Sequence, residues 1–361
     1  MVPPAPEVIS RFPLWICFLA AAMLWSAAIA AWMVRDAHRR GLLDHPGQRR
    51  LHQVPTPRGG GIGFVLAMLG GLPLLPQLGV PMPSRWLVAW WIALLIVALL
   101  GAQDDRHGLG VSPRFAGHLL AGCFLAASIW PQIHAMLAAP WILGAVALIV
   151  LATAWSVNLH NFMDGSDGLL GLHALLVGLG FAMLGWQARM PALWGPALLV
   201  SASVAGFLPL NLPWPRARIF MGDVGSGVLG CVIAALSLAG LASRAWPVPS
   251  VLLLVSAFLV DASATLLWRM AHGRRWWRPH REHLYQWLAR TRRGHGWPLA
   301  AYAAWDIVVA LPLAWLAQCQ SGLGWWLVAS VYMLACAFWW HGKRACRRVL
   351  RRRQRIRHAP A

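Results

Sequence analysis

Apolar runs of membrane-spanning length alternate with short polar segments along most of this chain. Each run has roughly 17–23 residues, which is the length that a helix needs to cross about 30 Å of hydrocarbon. The pattern therefore predicts an all-α fold, a polytopic membrane helical bundle with about 11 transmembrane helices. The runs are 14–34, 62–80, 86–102, 115–134, 141–157, 166–186, 192–212, 225–242, 247–268, 297–317 and 323–340.

Positive charge is concentrated on one side of this predicted bundle. With the N-terminus outside, 27 of the 31 Lys and Arg residues fall in inside segments. This bias predicts an outside N-terminus, a cytoplasmic C-terminus and an odd number of spans. We interpret residues 1–341 as one integral membrane domain and residues 342–361 as a basic cytoplasmic tail on an anionic leaflet. The net charge of +20 is thus explained without a nucleic-acid partner.

The segment Asn158–Gly168, NLHNFMDGSDG, concentrates polar residues at the end of one apolar run. It carries two of the 11 acids in the chain, beside two asparagines. Acidic side chains cost free energy in a membrane protein, so their presence here indicates chemistry or ion binding. Asp167 could instead cap the following helix, and an EF-hand is excluded by the ligand spacing. Carboxylate and amide oxygens favour a hard cation such as Mg²⁺.

Two further segments on the predicted cytoplasmic face carry acids. Asp104 and Asp105 end the third run; neighbouring residues on a helix point about 100° apart, so the two acids need not share a role. Arg216–Gly227 places Asp223 just before another run. A helix that starts near Val224 would offer free amide groups and a positive dipole end to an anion.

Two basic segments complete the face. Thr56–Gly61 could hold a phosphate, although alone the pattern is no more than a turn. His280 and His283 precede the segment 284–288, whose apolar spacing predicts a short interfacial helix. A phosphate-binding His/Arg cluster fits these surroundings better than a two-histidine metal site. Together the segments predict phosphate chemistry with a divalent cation.

A membrane transporter or lipid-binding protein is the alternative from another class. It would need acids near mid-bilayer, where transporter sites lie. Asp261 and Asp306 are the candidates inside spans, and we interpret each as a polar residue bonded between helices.

The motifs in order resemble a known family. The adjacent acids, NFMDGSDG, FMGDVGS and HREHLYQ are similar to those of the polyprenyl-phosphate N-acetylhexosamine-1-phosphate transferases, glycosyltransferase family 4. The resemblance covers residues from about 44 to 294. It implies a multi-pass enzyme of the bacterial inner membrane, with its active site facing the cytoplasm. Such an enzyme transfers a sugar-1-phosphate from a UDP-N-acetylhexosamine to undecaprenyl phosphate and releases UMP.

The resemblance also implies ligands and roles. Asp223 matches the principal Mg²⁺ ligand and Asn161 a second one, with Mn²⁺ as a substitute metal. Asp104 and Asp105 match acids proposed to act on the lipid phosphate or to support the metal. The implied substrate contacts are Asn158, Asp164, Asp167, Asn211, His280, Arg281, His283, Thr56 and Arg58.

The branch of the family is indicated by two departures. Phospho-N-acetylmuramoyl-pentapeptide transferase of peptidoglycan synthesis has a DDxxK-like sequence at the adjacent acids and a loop with three histidines. Here the residues are DDRHG and HREH. This favours initiation of O-antigen in lipopolysaccharide biosynthesis, or of another surface polysaccharide. HREHLYQ resembles the subgroup that uses N-acetylfucosamine or N-acetylquinovosamine. The resemblance leaves it open whether the protein forms a homodimer. It also leaves open whether transfer is direct or proceeds through a covalent intermediate.

Overall fold

The computed structural model describes residues 12–40, 43–44, 54–275, 280–292 and 294–357. A two-stranded antiparallel sheet pairs β1 (Leu43–Asp44) with β2 (Thr56–Pro57). The α-helices are α1 (Phe12–Arg40), α2 (Ile62–Gly71), α3 (Ser84–His107), α4 (Val111–Ser128), α5 (Trp130–Met136), α6 (Ala139–Met163), α7 (Leu169–Gln187), α8 (Pro191–Asn211), α9 (Asp223–Ala242), α10 (Val248–Leu254), α11 (Ser256–Ala271), α12 (Leu284–Arg292), α13 (Gly296–Trp305), α14 (Leu311–Cys319) and α15 (Gly324–Arg357). Short 3₁₀ turns cover Leu72–Leu74, Pro76–Leu78 and Ser321–Leu323, and a π turn covers Asp306–Ala310.

Every predicted apolar run lies over one helix or over consecutive helices. Within the described residues, eight helices are long and apolar enough to cross a membrane. Up to ten spans result if the bent pairs α4–α5 and α10–α11 each cross once. The all-α polytopic membrane fold is therefore confirmed. The number of 11 spans and the orientation stay predictions, because the apolar helix Ile62–Leu74 is shorter than a full span.

Two predicted spans are broken. The pair α4–α5 bends by 64° and the pair α10–α11 by 75°. Pro131, in the first turn of α5, lacks an N–H and cannot extend the preceding helix, which accounts for the first break. The second break falls at Val255, where no proline or glycine marks it.

The centre of the bundle is formed by α7, α8 and α9. Their apolar windows are 67%, 72% and 78% buried inside the protein, whereas those of α1 and α6 are 22% buried. Helices that are apolar on all sides must be surrounded by other helices or by lipid. The N-terminal end of α9 is therefore surrounded by the segments that pack around it.

Glycine lets α3 approach this end of α9 closely. A Cβ on Gly101 would lie 2.5 Å from Val224 Cα and 2.6 Å from the Asp223 carbonyl oxygen. Small residues at helix contacts allow such backbone approach in membranes. Asp104 and Asp105, one turn further along α3, are thereby brought against α9.

Replacing Gly101 with alanine tests this contact. We expect G101A to lower the free energy of unfolding by about 1–3 kcal/mol, because the added methyl forces two backbones apart. The thermal midpoint in detergent measures the effect. Gly144, on α6, has no atom within 4 Å of an added Cβ, so G144A should leave the midpoint unchanged or slightly raised. Equal midpoints for the two variants would contradict the close contact.

The acids inside spans have partners. Asp306 Oδ2 lies 2.8 Å from His173 Nδ1, and both side chains are buried. This contact joins the π turn to α7, as the interpretation of a polar residue bonded between helices predicts. Asp261 belongs to the site below. Helix α15 runs through residues 341 and 342 without interruption, and the division into a membrane domain and a basic tail stays a prediction.

Candidate active site

The first turn of α9 is held by a carboxylate from α3. Gly222, at φ +79°, leads into the helix, and Asp223 is its first residue. The N–H groups of Asp223 and Val224 donate to Asp105 Oδ1 and Oδ2 at 3.0 and 3.1 Å. A helix N-terminus favours such a negative charge. The predicted start near Val224 is confirmed to within one residue. The prediction of free amide groups there is wrong, because Asp105 accepts the N–H groups of Asp223 and Val224.

Arg58 links the same two acids. Its Nε lies 3.0 Å from Asp105 Oδ1, and its Nη2 donates to Asp223 Oδ1 at 2.9 Å. The Asp223 side chain is still 20% exposed, so a ligand can reach it. The structure therefore brings Arg58 to the acids, while its contact with a substrate stays a prediction.

The rest of segment 54–61 packs against the loop before α9. Gly60 and Gly61 donate their N–H groups to the carbonyls of Phe220 and Met221, both at 2.9 Å. Thr56 is buried, and its hydroxyl donates to the Val54 carbonyl at 3.0 Å. These donors are used within the protein, so Arg58 is the group of this described segment that reaches the acids.

Arg114, in the first turn of α4, contacts Asp104 and Asp223. Its Nη1 binds Asp104 Oδ2 and lies 3.6 Å from Asp223 Oδ2. Asp104 Oδ1 also accepts the Leu109 N–H at 2.5 Å. Asp104 and Asp105 therefore serve different partners, as their angle on the helix predicts. Sequence reasoning missed Arg114; the available signal was a lone arginine ten residues after Asp104, at the start of an apolar run.

A water-sized cavity lies between these acids and α6. Asn161 faces it and donates from Nδ2 to Ser226 Oγ at 3.3 Å. Asn158, one turn earlier, donates to the Ala154 carbonyl at 2.7 Å and lies 3.2 Å from His118 Nδ1. The cavity, of about 20 Å³, is lined by Asp104, Arg114, His118, Asn161 and Asp223 among others.

The other end of Asn158–Gly168 is tied to the loop before α9. Asp167 Oδ2 accepts the Ala217 N–H at 3.1 Å. Asn211 accepts the Gly168 N–H at 3.0 Å and donates to the Ile219 carbonyl at 2.9 Å. Asp167 does not cap α7, since no side chain caps that helix. Both residues hold loops together in this structure. The contact of Asp167 with a nucleotide-sugar and the contact of Asn211 with a substrate stay predictions.

Asp164 lies beside the charged cluster. Burial, followed by the negative charge of Asp223, raises the pKa of Asp164 to about 8. At neutral pH its carboxyl group is therefore mostly protonated, and it can donate a hydrogen bond as well as accept one.

Asp261 organises the segment that carries the histidines. It accepts the N–H groups of Leu284 and Tyr285 at 2.8 and 3.3 Å and the Tyr302 hydroxyl at 2.6 Å. It thereby caps α12, the short helix that the apolar spacing predicts. The Tyr285 hydroxyl donates to the Phe162 carbonyl at 3.0 Å, which joins this segment to Asn158–Gly168.

His280 and His283 stack on each other, with ring centroids 4.9 Å apart. Burial lowers the pKa of both, that of His280 to about 4, so both rings are neutral at pH 7. The ring of His283 also stacks on Phe162 at 6.2 Å. Arg281 is different: it lines a cavity between α12 and α15 instead of the cavity beside Asp223.

Comparison with known proteins points to one family. The model of glycosyl transferase family 4 matches residues 87–241. A decaprenyl-phosphate N-acetylglucosaminephosphotransferase of Mycobacterium tuberculosis is 30% identical over 318 residues, which cover 77% of this chain and 76% of the relative. The chain belongs to glycosyltransferase family 4. It is therefore an enzyme, a glycosyl-1-phosphate transferase, and the transporter alternative is not favoured.

Two further relatives carry the same type of name. An undecaprenyl-phosphate alpha-N-acetylglucosaminyl 1-phosphate transferase of Yersinia pestis is 29% identical over 278 residues, covering 74% of this chain and 75% of the relative. A protein of that name from Escherichia coli O157:H7 is 24% identical and covers 94% of this chain and 95% of the relative. These names do not favour the muramoyl-pentapeptide alternative. The predicted site residues inside the matched range are Asp104, Asp105, Asn158, Asn161, Asp164, Asp167, Asn211 and Asp223.

Proposed function

We propose that this family 4 transferase moves N-acetylhexosamine-1-phosphate from a UDP-sugar to undecaprenyl phosphate and releases UMP. The product is the lipid-linked first sugar of O-antigen or of another surface polysaccharide. The enzyme acts in the bacterial inner membrane, with its site facing the cytoplasm. The observation that carries this proposal is the cluster of Asp104, Asp105 and Asp223 with Arg58 and Arg114 at the N-terminal end of α9.

The donor and the acceptor are inferred from chemistry and from relatives. The relatives are named for a polyprenyl phosphate and N-acetylglucosamine. Arg58 and Arg114 supply the fixed positive charge that phosphate groups require. The N-terminal end of α9 is reached by inside segments in the predicted orientation, which supports a cytoplasmic donor.

The residues fit a Mg²⁺ ion that takes most of its ligands from water and substrate. In the described part of the chain, no three His, Cys, Asp or Glu side chains converge as a metal cluster. Asp223 is partly open, and Asn161 faces the same small cavity. Mg²⁺ often binds through one or two carboxylates plus phosphates, so Asp223 with Asn161 suffices. When bound, the ion would neutralise charge on the donor diphosphate.

The protein residues then have separable tasks. A lipid phosphate oxygen attacks the β-phosphorus of the donor; the new P–O bond forms as the bond to the bridging oxygen breaks, and UMP leaves with that oxygen. Arg58 and Arg114 stabilise charge on the phosphoryl oxygens, and His280 and His283 donate neutral N–H groups. Asp104 takes any proton left on the lipid phosphate. This demand is modest because the second pKa of the lipid phosphate is about 6.

An assay in nanodiscs with a panel of donors tests the reaction. Given undecaprenyl phosphate and Mg²⁺, the protein should release UMP and form a lipid-linked sugar diphosphate from one UDP-N-acetylhexosamine. The panel includes UDP derivatives of N-acetylglucosamine, N-acetylquinovosamine and N-acetylfucosamine, and UDP-N-acetylmuramoyl-pentapeptide. Discs without undecaprenyl phosphate control for hydrolysis. Exclusive use of the pentapeptide donor would overturn the proposed branch, and no transfer from any donor would overturn the reaction.

A further inference from the structure

A basic groove lies between α12 and α15, apart from the acids at the start of α9. Its volume is about 650 Å³. Five arginines and one acid line it: Arg274, Arg281, Arg290, Arg347, Arg351 and Glu282. The proposed reaction uses none of this positive charge.

The single acid of the groove is already paired. Glu282 Oε1 accepts from Arg269 Nη1 at 2.5 Å and from Arg274 Nη1 at 2.8 Å. Arg347 and Arg351 form no ion pair with any carboxylate among the described residues. The groove therefore presents unneutralised guanidinium groups, which bind phosphate oxygens in a bidentate way.

The guanidinium groups are also held in place. The Cζ atoms of Arg290 and Arg347 lie 4.5 and 5.5 Å from the ring centroid of Trp287. Arg290 also donates from Nη2 to the Arg281 carbonyl at 2.8 Å. Cation–π contacts of this kind fix two positive groups side by side before any ligand arrives. The arrangement differs from a freely moving basic tail.

The position of the groove favours a lipid over a free phosphate. Along α15 the groove begins at Arg347, two turns after Trp339 and Trp340. The rings of these two tryptophans lie 4.3 Å from Lys343 Nζ and Arg344 Cζ. Tryptophan beside basic residues marks the membrane–water boundary. The α15 residues of the groove therefore lie on the polar side of this boundary, which is the side that carries the phosphates of a leaflet.

A second cavity supports an occupant with acyl chains. It has a volume of about 480 Å³ and is lined by neighbouring residues of α12 and by residues of α15 that precede those of the groove. Leu284, Leu288, Trp305 and Phe338 are among its apolar lining residues. A phospholipid matches both halves, because its headgroup fits the arginines and its chains fit the apolar cavity.

We propose that the α12–α15 groove binds the headgroup phosphate of an anionic phospholipid and thereby orders the 280–283 segment. Arg281 and Glu282 line the groove, and His280 and His283 belong to the same segment. Occupancy therefore links the lipid composition of the membrane to the transfer rate. The link to rate rests on the proposed function, whereas lipid binding does not.

Binding is tested with short-chain phosphatidylglycerol and the purified protein by native mass spectrometry. Arg347→Gln with Arg351→Gln should weaken binding by about tenfold or more, because each arginine near a headgroup contributes about 1 kcal/mol. The control pair is Arg352→Gln with Arg353→Gln, which removes the same charge from α15 but lies outside the groove. It should bind nearly as wild type. Equal weakening by both pairs would overturn the groove in favour of general attraction to the leaflet.

Two further arms complete the test. Inorganic phosphate should not displace the lipid; displacement by phosphate alone would overturn the lipid assignment.

In phosphatidylcholine nanodiscs both variant pairs should transfer at the wild-type rate. Added phosphatidylglycerol should then raise the rate of wild type and control but not that of the groove pair. If the groove pair unfolds, Arg347→Lys with Arg351→Lys keeps the charge and should still lose part of the binding. Unchanged binding in that folded variant would count against a bidentate site.

Discussion

Asp223→Asn is expected to reduce transfer by at least about 100-fold, since the carboxylate that would hold Mg²⁺ beside the donor diphosphate is lost. Asparagine keeps one oxygen but removes the carboxylate that meets Arg58 and lies near Arg114. The measurement is UMP release with undecaprenyl phosphate over a range of Mg²⁺ concentrations. High Mg²⁺ should not restore the rate fully, because mass action can refill a weakened site but cannot supply the missing carboxylate to the bound ion.

The matched control is Asp36→Asn, which removes one acid from α1, outside the cluster at the start of α9. It should transfer at the wild-type rate. Both proteins should elute as folded material and unfold at similar temperatures. Undiminished turnover of D223N with normal Mg²⁺ dependence would refute the metal assignment.

Asp105→Asn is expected to reduce transfer by about 10–100-fold and to raise the Mg²⁺ concentration needed for half-maximal rate. The Asp105 carboxylate accepts two N–H groups of α9 and pairs with Arg58. Asparagine has one acceptor oxygen and no charge, so the first turn of α9 and Arg58 lose their fixed positions. We therefore treat Asp105 as a positioning residue whose effect is exerted through Asp223.

Asp104→Asn is the comparison for this prediction. Asp104 binds Arg114 and the Leu109 N–H and does not cap α9. The Asp104→Asn substitution should change the dependence of the transfer rate on undecaprenyl phosphate concentration more than its dependence on Mg²⁺. A purely structural loss in D105N would lower the thermal midpoint without moving the Mg²⁺ dependence. Isolation of a sugar-phosphate adduct on Asp105 or Asp104 would contradict direct transfer.

The membrane spans were predictable from the sequence because the hydrocarbon core of the bilayer surrounds them. Every backbone group inside the bilayer must be satisfied within a helix, so each span needs a long apolar run that the sequence shows directly. The breaks within two of the spans were harder to predict from the sequence. Pro131 signals the first one, but the break at Val255 has no local marker, and it depends on packing between helices.

The site was predictable only as a set of residue types. The acids and asparagines of Asn158–Gly168, and Asp223, stand out in a chain where acids are scarce. Of these residues, Asn161 and Asp223 line one cavity at the N-terminal end of α9. Their partners could not be read from the sequence. Asp105 and Asp223 are 118 residues apart, and Arg114 and His118 carry no motif of their own.

The sequence by itself determined the membrane-embedded all-α class, the family, and the segments that gather at the site, because hydrophobicity and motif spacing are local properties. Only the tertiary structure decided what each polar group touches. It assigned Asp105 to the first turn of α9, Asn211 and Asp167 to joining loops, and Arg281 to a groove between α12 and α15. Hydrogen bonds and ion pairs act over about 3 Å, and residues far apart in the chain reach that distance only through the packing of the whole bundle.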